Sequence, residues 1–204
     1  MTLSDTPSDA RHDWRPLLAG FALYAAIAVA LSAGGAYQAV SANYFALTVV
    51  LATLALVAAY AFHPPTRRLA ARLGPYGLAG FHVWRIPAAL AFFWYGAQGL
   101  LPDVFVTRAA WGDLLAGTFA AAIFLLPRRR ATVLAFHLFG FADFVLAVGT
   151  GVALTLAAPE SMTELTRLPV ALIPLVGVPL SGATHIAALH LLLAGRGAGG
   201  GKRV

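Results

Sequence analysis

The chain has 204 residues and a formal net charge of +6, with 60% hydrophobic and only 11% charged residues. Its mean hydropathy is +0.78. Soluble domains carry about 25% charged residues, so a chain of this size could not hide so much apolar surface from water, and the expected solvent is lipid.

Other classes fall away on composition. There is no cysteine, which excludes disulfides, thiolate metal sites and cysteine nucleophiles. Lys202 is the only lysine, so no Schiff base can form inside the apolar runs. A sequence pI near 10.3 could suggest nucleic acid. The basic residues, however, fall in short segments between apolar runs, and no basic helix with interleaved aromatics occurs. Arginine in place of lysine, with heavy use of Ala and Gly, is the usage of a GC-rich bacterial genome.

Residues 1–15 are polar, with Asp5, Asp9 and Asp13 against Arg11 and Arg15. Six apolar runs follow, at about 16–34, 44–62, 81–101, 109–126, 131–157 and 168–193, each near or above the roughly 17–25 residues a crossing needs. The first run lacks a clean small-x-small cleavage site and is read as a retained helix rather than a signal peptide. The tail 195–204 is Gly-rich and basic and is expected to be disordered.

Orientation follows from the arginines. With the N-terminus inside, Arg67, Arg68, Arg72, Arg128, Arg129, Arg130 and Arg196 fall in the cytoplasm, and only Arg108 and Arg167 fall outside. The expected fold is therefore all-α: a polytopic membrane bundle of six transmembrane helices, N-in and C-in, over 16–194. The expected location is the bacterial cytoplasmic (inner) membrane. No internal repeat is evident.

Ionisable residues inside the apolar runs are costly and mark candidate sites. In the third run His82 and Arg85 share a helical face. Arg85 suits an anionic group, or it can snorkel to a headgroup. Asp113, Gly117 and Ala121 recur every four residues, as do Asp143, Ala147 and Gly151, so both acids lie on small-residue stripes that pack against other helices. Asp143 lies ~18 Å along its run, near the midplane, and Asp113 is expected closer to the outer side. His137 and Asp143 are about 120° apart around a helix and are not expected to touch. The last run carries Pro169, Pro174, Gly177, Pro179 and Gly182 before His185 and His190. A break near 175–178 would start a second half-helix at Pro179 and aim its positive end into the membrane, as in interrupted transporter helices. Ser181 and His185 share a face, and His190 points elsewhere.

Three function classes meet these residues. A small carrier or proton-coupled transport protein would use Arg85, Asp113, Asp143, Ser181 and His185 to bind a solute or ion. A haem or divalent-metal protein would take His137 and His185 as ligands, with Arg85 on a propionate; a zinc hydrolase would use the same histidines. A scaffold subunit would use the polar groups as interhelical glue. A serine hydrolase at Ser181 is disfavoured, because proline stands where the nucleophile turn needs glycine. The expected partners are the lipid bilayer and a small solute or proton, with homo-oligomers open and nucleic acid excluded.

The stretch 85–117, with Leu101-Pro102 and Trp111-Gly112-Asp113, resembles a group of uncharacterised bacterial six-helix membrane proteins. So do Gly140-Phe141-Ala142-Asp143 with Gly149, and Ile173-Pro174 through Val178-Pro179-Leu180 to His185. The resemblance implies an integral membrane fold in which Arg85, Asp113, Asp143 and His185 belong together. It implies no activity, and His137 is not part of its pattern.

Overall fold

The computed structural model describes residues 15–198, with the side chains of 196–198 excepted; the polar segment 1–14 and most of the basic tail lie outside the described residues. Among the described residues the chain is helical throughout, with no strand. In order come α1 (Arg15–Ala33), α2 (Ala42–Phe62), α3 (Pro64–Phe81), a 3-10 turn (His82–Trp84), α4 (Arg85–Ala97), α5 (Asp103–Ile123) and α6 (Arg130–Ala157). A 3-10 segment (Pro159–Thr166), a π-helical turn (Ile173–Gly177) and α7 (Val178–Ala198) complete it. Helices α1, α2, α6 and the continuous stretch Ile173–Gly195 are long and apolar enough to cross a membrane.

The segment after α2 departs from the expected loop. His63-Pro64-Pro65 reads as a turn, but proline is preorganised for the first helical turn, where its missing N–H costs nothing. Pro64 and Pro65 therefore start α3, whose first half carries Arg67, Arg68 and Arg72. Gly74 then adopts φ 64° and ψ 168°, a conformation open to glycine, and Pro75 restarts the helix in a new direction. The third expected run is thus reached through a kink at Gly74 and a 3-10 turn at His82, and α4 covers only its second part. The fourth run begins earlier than expected, at Asp103. The seventh helix continues into the start of the Gly-rich tail.

The last run is not a broken pair of half-helices. Its backbone stays right-handed helical and widens by one residue, the Val178 N–H donating to the Ile173 carbonyl. Pro179 has no N–H for the Leu175 carbonyl one turn earlier, and the Tyr24 hydroxyl of α1 donates to it instead. No half-helix N-terminus opens into the interior, because the widened turn absorbs both prolines. Gly177 lies inside this turn against the Trp84 indole, in space a Cβ would need.

Apolar packing holds the two ends of the bundle. Phe45, Phe92, Phe105, Met162, Leu165 and Leu175 form one core. At the other end Tyr60, Leu78 and Ala188 pack α2, α3 and α7 together, and Ile123 and Phe136 join α5 to α6. The Tyr76 hydroxyl donates to the Ile123 carbonyl at 3.3 Å, and the Arg128 guanidinium lies 4.4 Å over the Tyr76 ring. Tyr60 and His190 meet at 2.7 Å across α2 and α7, which places His190 away from the other interior histidines.

Replacing Tyr24 by Phe strands the Leu175 carbonyl. The variant should lose about 1 kcal/mol of stability, read as an earlier unfolding midpoint in mixed micelles. An unchanged midpoint would mean that the carbonyl does not need this partner.

Candidate functional site

The site is built where α4, α5, α6 and α7 meet, and glycines set the approach of these helices. A Cβ on Gly117 would lie 2.8 Å from the backbone nitrogen of Ile86, so α5 touches the backbone of α4 here. One turn before Gly117 is Asp113, and one residue before Ile86 is Arg85. The contact between helices therefore brings the guanidinium to the carboxylate: Arg85 Nε donates to Asp113 Oδ1 at 2.6 Å. Gly112 in turn vacates the space filled by the Asp143 carboxylate from α6. Arg85 Nη2 donates to Asp143 Oδ2. The third nitrogen, Nη1, reaches the Gly140 carbonyl at 3.4 Å.

Arg85 is only 3% exposed, and Asp113 and Asp143 are each 7% exposed. Asp113, expected near the surface, belongs to the same buried triad as Asp143. Arg85 neither snorkels nor stands free for an anion, because each of its nitrogens is engaged from within the chain. With both acids ionised the triad carries one more negative charge than positive. An uncompensated charge in such surroundings is expensive, so the triad calls for a proton or a cation.

Gly140 connects the triad to a second group. Its carbonyl faces Arg85, and its missing side chain makes room for the His185 imidazole. His82, His137 and His185 are all fully buried and come together from three elements: the 3-10 turn, α6 and α7. One ring nitrogen of each lies within 4.8 Å of the other two. His137 Nδ1 and His185 Nδ1 are 3.0 Å apart. The His82 and His185 rings stack with centroids 3.9 Å apart. His137 Nε2 donates to the Pro75 carbonyl at 2.9 Å, so the kink in α3 orients that ring.

Arg85 and Asp113 also border an apolar cavity of about 90 Å³, lined by Phe45, Phe92, Phe105, Phe144 and Met162 among others, with Thr155 and Ser181 adding polar groups to its wall. Asp143 and His185 do not line it, so the five residues singled out in sequence share one neighbourhood but not one cavity. Ser181 is buried, and its hydroxyl has no hydrogen-bond partner.

His82 opens the third run, where the sequence leaves both an interfacial place and a cluster with His137 and His185 open; the 3-10 turn carries it inward, fully buried. Sequence alone does not signal the Pro75 carbonyl or Thr184 as partners of these rings.

The chain belongs to the family described as domain of unknown function DUF8737, whose model matches residues 42–193. No curated protein and no solved structure matches the chain. The matched span includes all six residues of the triad and the histidine cluster, and it leaves out α1.

Replacing Arg85 by Met leaves two buried carboxylates without their counter-charge and should cost about 3–5 kcal/mol. Adding Asp113→Asn and Asp143→Asn removes the stranded charges and should recover most of the loss. Unfolding midpoints of the single and triple variants in mild detergent check this. Equal midpoints for wild type and Arg85→Met would show that the triad is not an ion cluster.

Proposed function

We propose that this protein is a small proton-coupled carrier of the bacterial inner membrane, with six crossings and both termini in the cytoplasm. The third crossing in this reading is the stretch 75–97, which is kinked but long enough at about 1.5 Å per residue. Helix α3 before Gly74 lies along the surface, with Arg67, Arg68 and Arg72 at the cytoplasmic headgroups. The arginines Arg128, Arg129 and Arg130 share that side, and Arg108 and Arg167 fall on the other. Large apolar side chains that stay exposed, such as Leu23, Leu51, Leu54, Phe62 and Leu156, support a lipid-facing surface.

One observation carries the transport reading: a buried triad with two carboxylates for one guanidinium forms part of the wall of a cavity. Such a site is balanced only when a proton or a cation joins it. Binding and release of that charge change which ion pairs Arg85 keeps, and so bias the packing of α4 against α5 and α6. The widened turn at Ile173–Gly177 is the segment best placed to yield, since its backbone bonds are already off the regular α pattern. A π turn is a weaker hinge than the open break expected from the prolines, and the reading therefore rests on the triad rather than on α7.

The test is flux. In proteoliposomes loaded with a pH-sensitive dye, wild type should dissipate an imposed proton gradient in the presence of its solute, screened first among small organic cations. Asp143→Asn should slow this at least tenfold while unfolding at a similar temperature. A protein silent under every imposed gradient and solute would favour the scaffold reading, in which the triad only glues helices together.

A further inference from the structure

We propose that His82, His137 and His185 form a binding site for a first-row divalent cation, with zinc as the fitting ion. This does not rest on the carrier reading. The chemistry lies in how the rings are held. The Pro75 carbonyl can only accept, so His137 Nε2 carries the ring proton and Nδ1 presents a lone pair to the cluster. The Thr184 hydroxyl spends its proton on the Leu180 carbonyl at 2.6 Å, and therefore accepts from His82 Nε2 at 3.1 Å. His82 Nδ1 is left with a lone pair and no partner in a fully buried ring.

Two of the three rings thus have the outer nitrogen fixed by an acceptor and a lone pair on the other, open at His82 Nδ1 and facing His185 Nδ1 at His137. That is how metal-ligating histidines are held in the right tautomer and orientation. His185 supplies the third ligand: in the metal-free chain its Nδ1–H donates to His137 Nδ1, and binding through Nδ1 moves that proton to Nε2, which is buried without a partner.

Distances favour a small ion. Two nitrogens bound at about 2.0–2.1 Å to one tetrahedral ion stand roughly 3.3–3.4 Å apart. His137 and His185 are already at 3.0 Å, and all three donors fall within 4.8 Å. The remaining adjustment is a swing of His82 out of its stack on His185, pivoting on Thr184. A porphyrin does not fit, because axial ligands must stand on opposite sides of the iron and these two rings are in hydrogen-bonding contact. The donor set also argues for zinc or cobalt over magnesium or calcium, which take oxygen ligands. The surplus carboxylate beyond Gly140 adds favourable charge for a dication.

The experiment uses the full chain purified in mild detergent, stripped with a chelator, and titrated with cobalt(II) and then zinc(II). Wild type should bind one cobalt with the intense visible bands of a tetrahedral site, and zinc should displace it. His82→Gln and His137→Gln should each weaken zinc binding at least 100-fold. Asp143→Asn should retain stoichiometric metal binding even if proton flux is lost, which separates this inference from the carrier reading. Should the histidine variants fail to fold, zinc binding to wild type must still raise its unfolding temperature and quench the cobalt bands. The proposal is overturned if folded wild type binds neither ion, if cobalt shows only the weak bands of octahedral coordination, or if zinc affinity survives in folded His82→Gln and His137→Gln.

Discussion

A single guanidinium shared by two carboxylates organises the interior of this protein. Arg85, Asp113 and Asp143 come from α4, α5 and α6, and none could be buried alone without a large penalty. Their mutual need sets the register of three helices. The small residues around them are its consequence. Gly117 lets α5 touch the backbone of α4, Gly112 houses the Asp143 carboxylate, and Gly140 places its carbonyl toward Arg85. Larger residues at these points would push the helices apart and leave the charges stranded.

The same constraint explains the position of the histidines. Arg85 opens α4 directly after the 3-10 turn that holds His82, so fixing Arg85 also fixes His82. Gly140 faces Arg85 through its carbonyl and His185 through its open Cα, so the two groups share one residue as a common wall. The kink at Gly74 and Pro75 then brings a backbone carbonyl to His137. Gly140 thus separates the triad from the histidine cluster, and Arg85 and Asp113 of the triad also line the cavity.

Three irregular stretches of backbone stand beside these groups. The left-handed Gly74, the 3-10 turn at His82 and the π turn at Ile173–Gly177 each border the site, while α2 and α6 are regular away from it. The π turn also shows how prolines can be accommodated without opening a helix. Its freed carbonyl is taken by Tyr24, so α1, which lies outside the span matched by the family, is tied to the element that carries Ser181 and His185.

Helical character, the long apolar runs and the identity of the interior charges were legible in the sequence, because hydropathy and the cost of burying charge act residue by residue. The stripes Asp113–Gly117 and Asp143–Gly151 also signalled close packing, since spacing of four defines a face on any helix. The helical start at Pro64 and Pro65 was less legible, because proline punctuates turns and begins helices with the same letters. Only tertiary structure decided that Asp113 reaches as deep as Asp143, that both acids converge on one arginine, and that His82 turns inward. Those outcomes depend on which helices are neighbours and at what depth they meet. No local pattern encodes that: it is settled by the packing of glycines on one helix against the backbone and side chains of another.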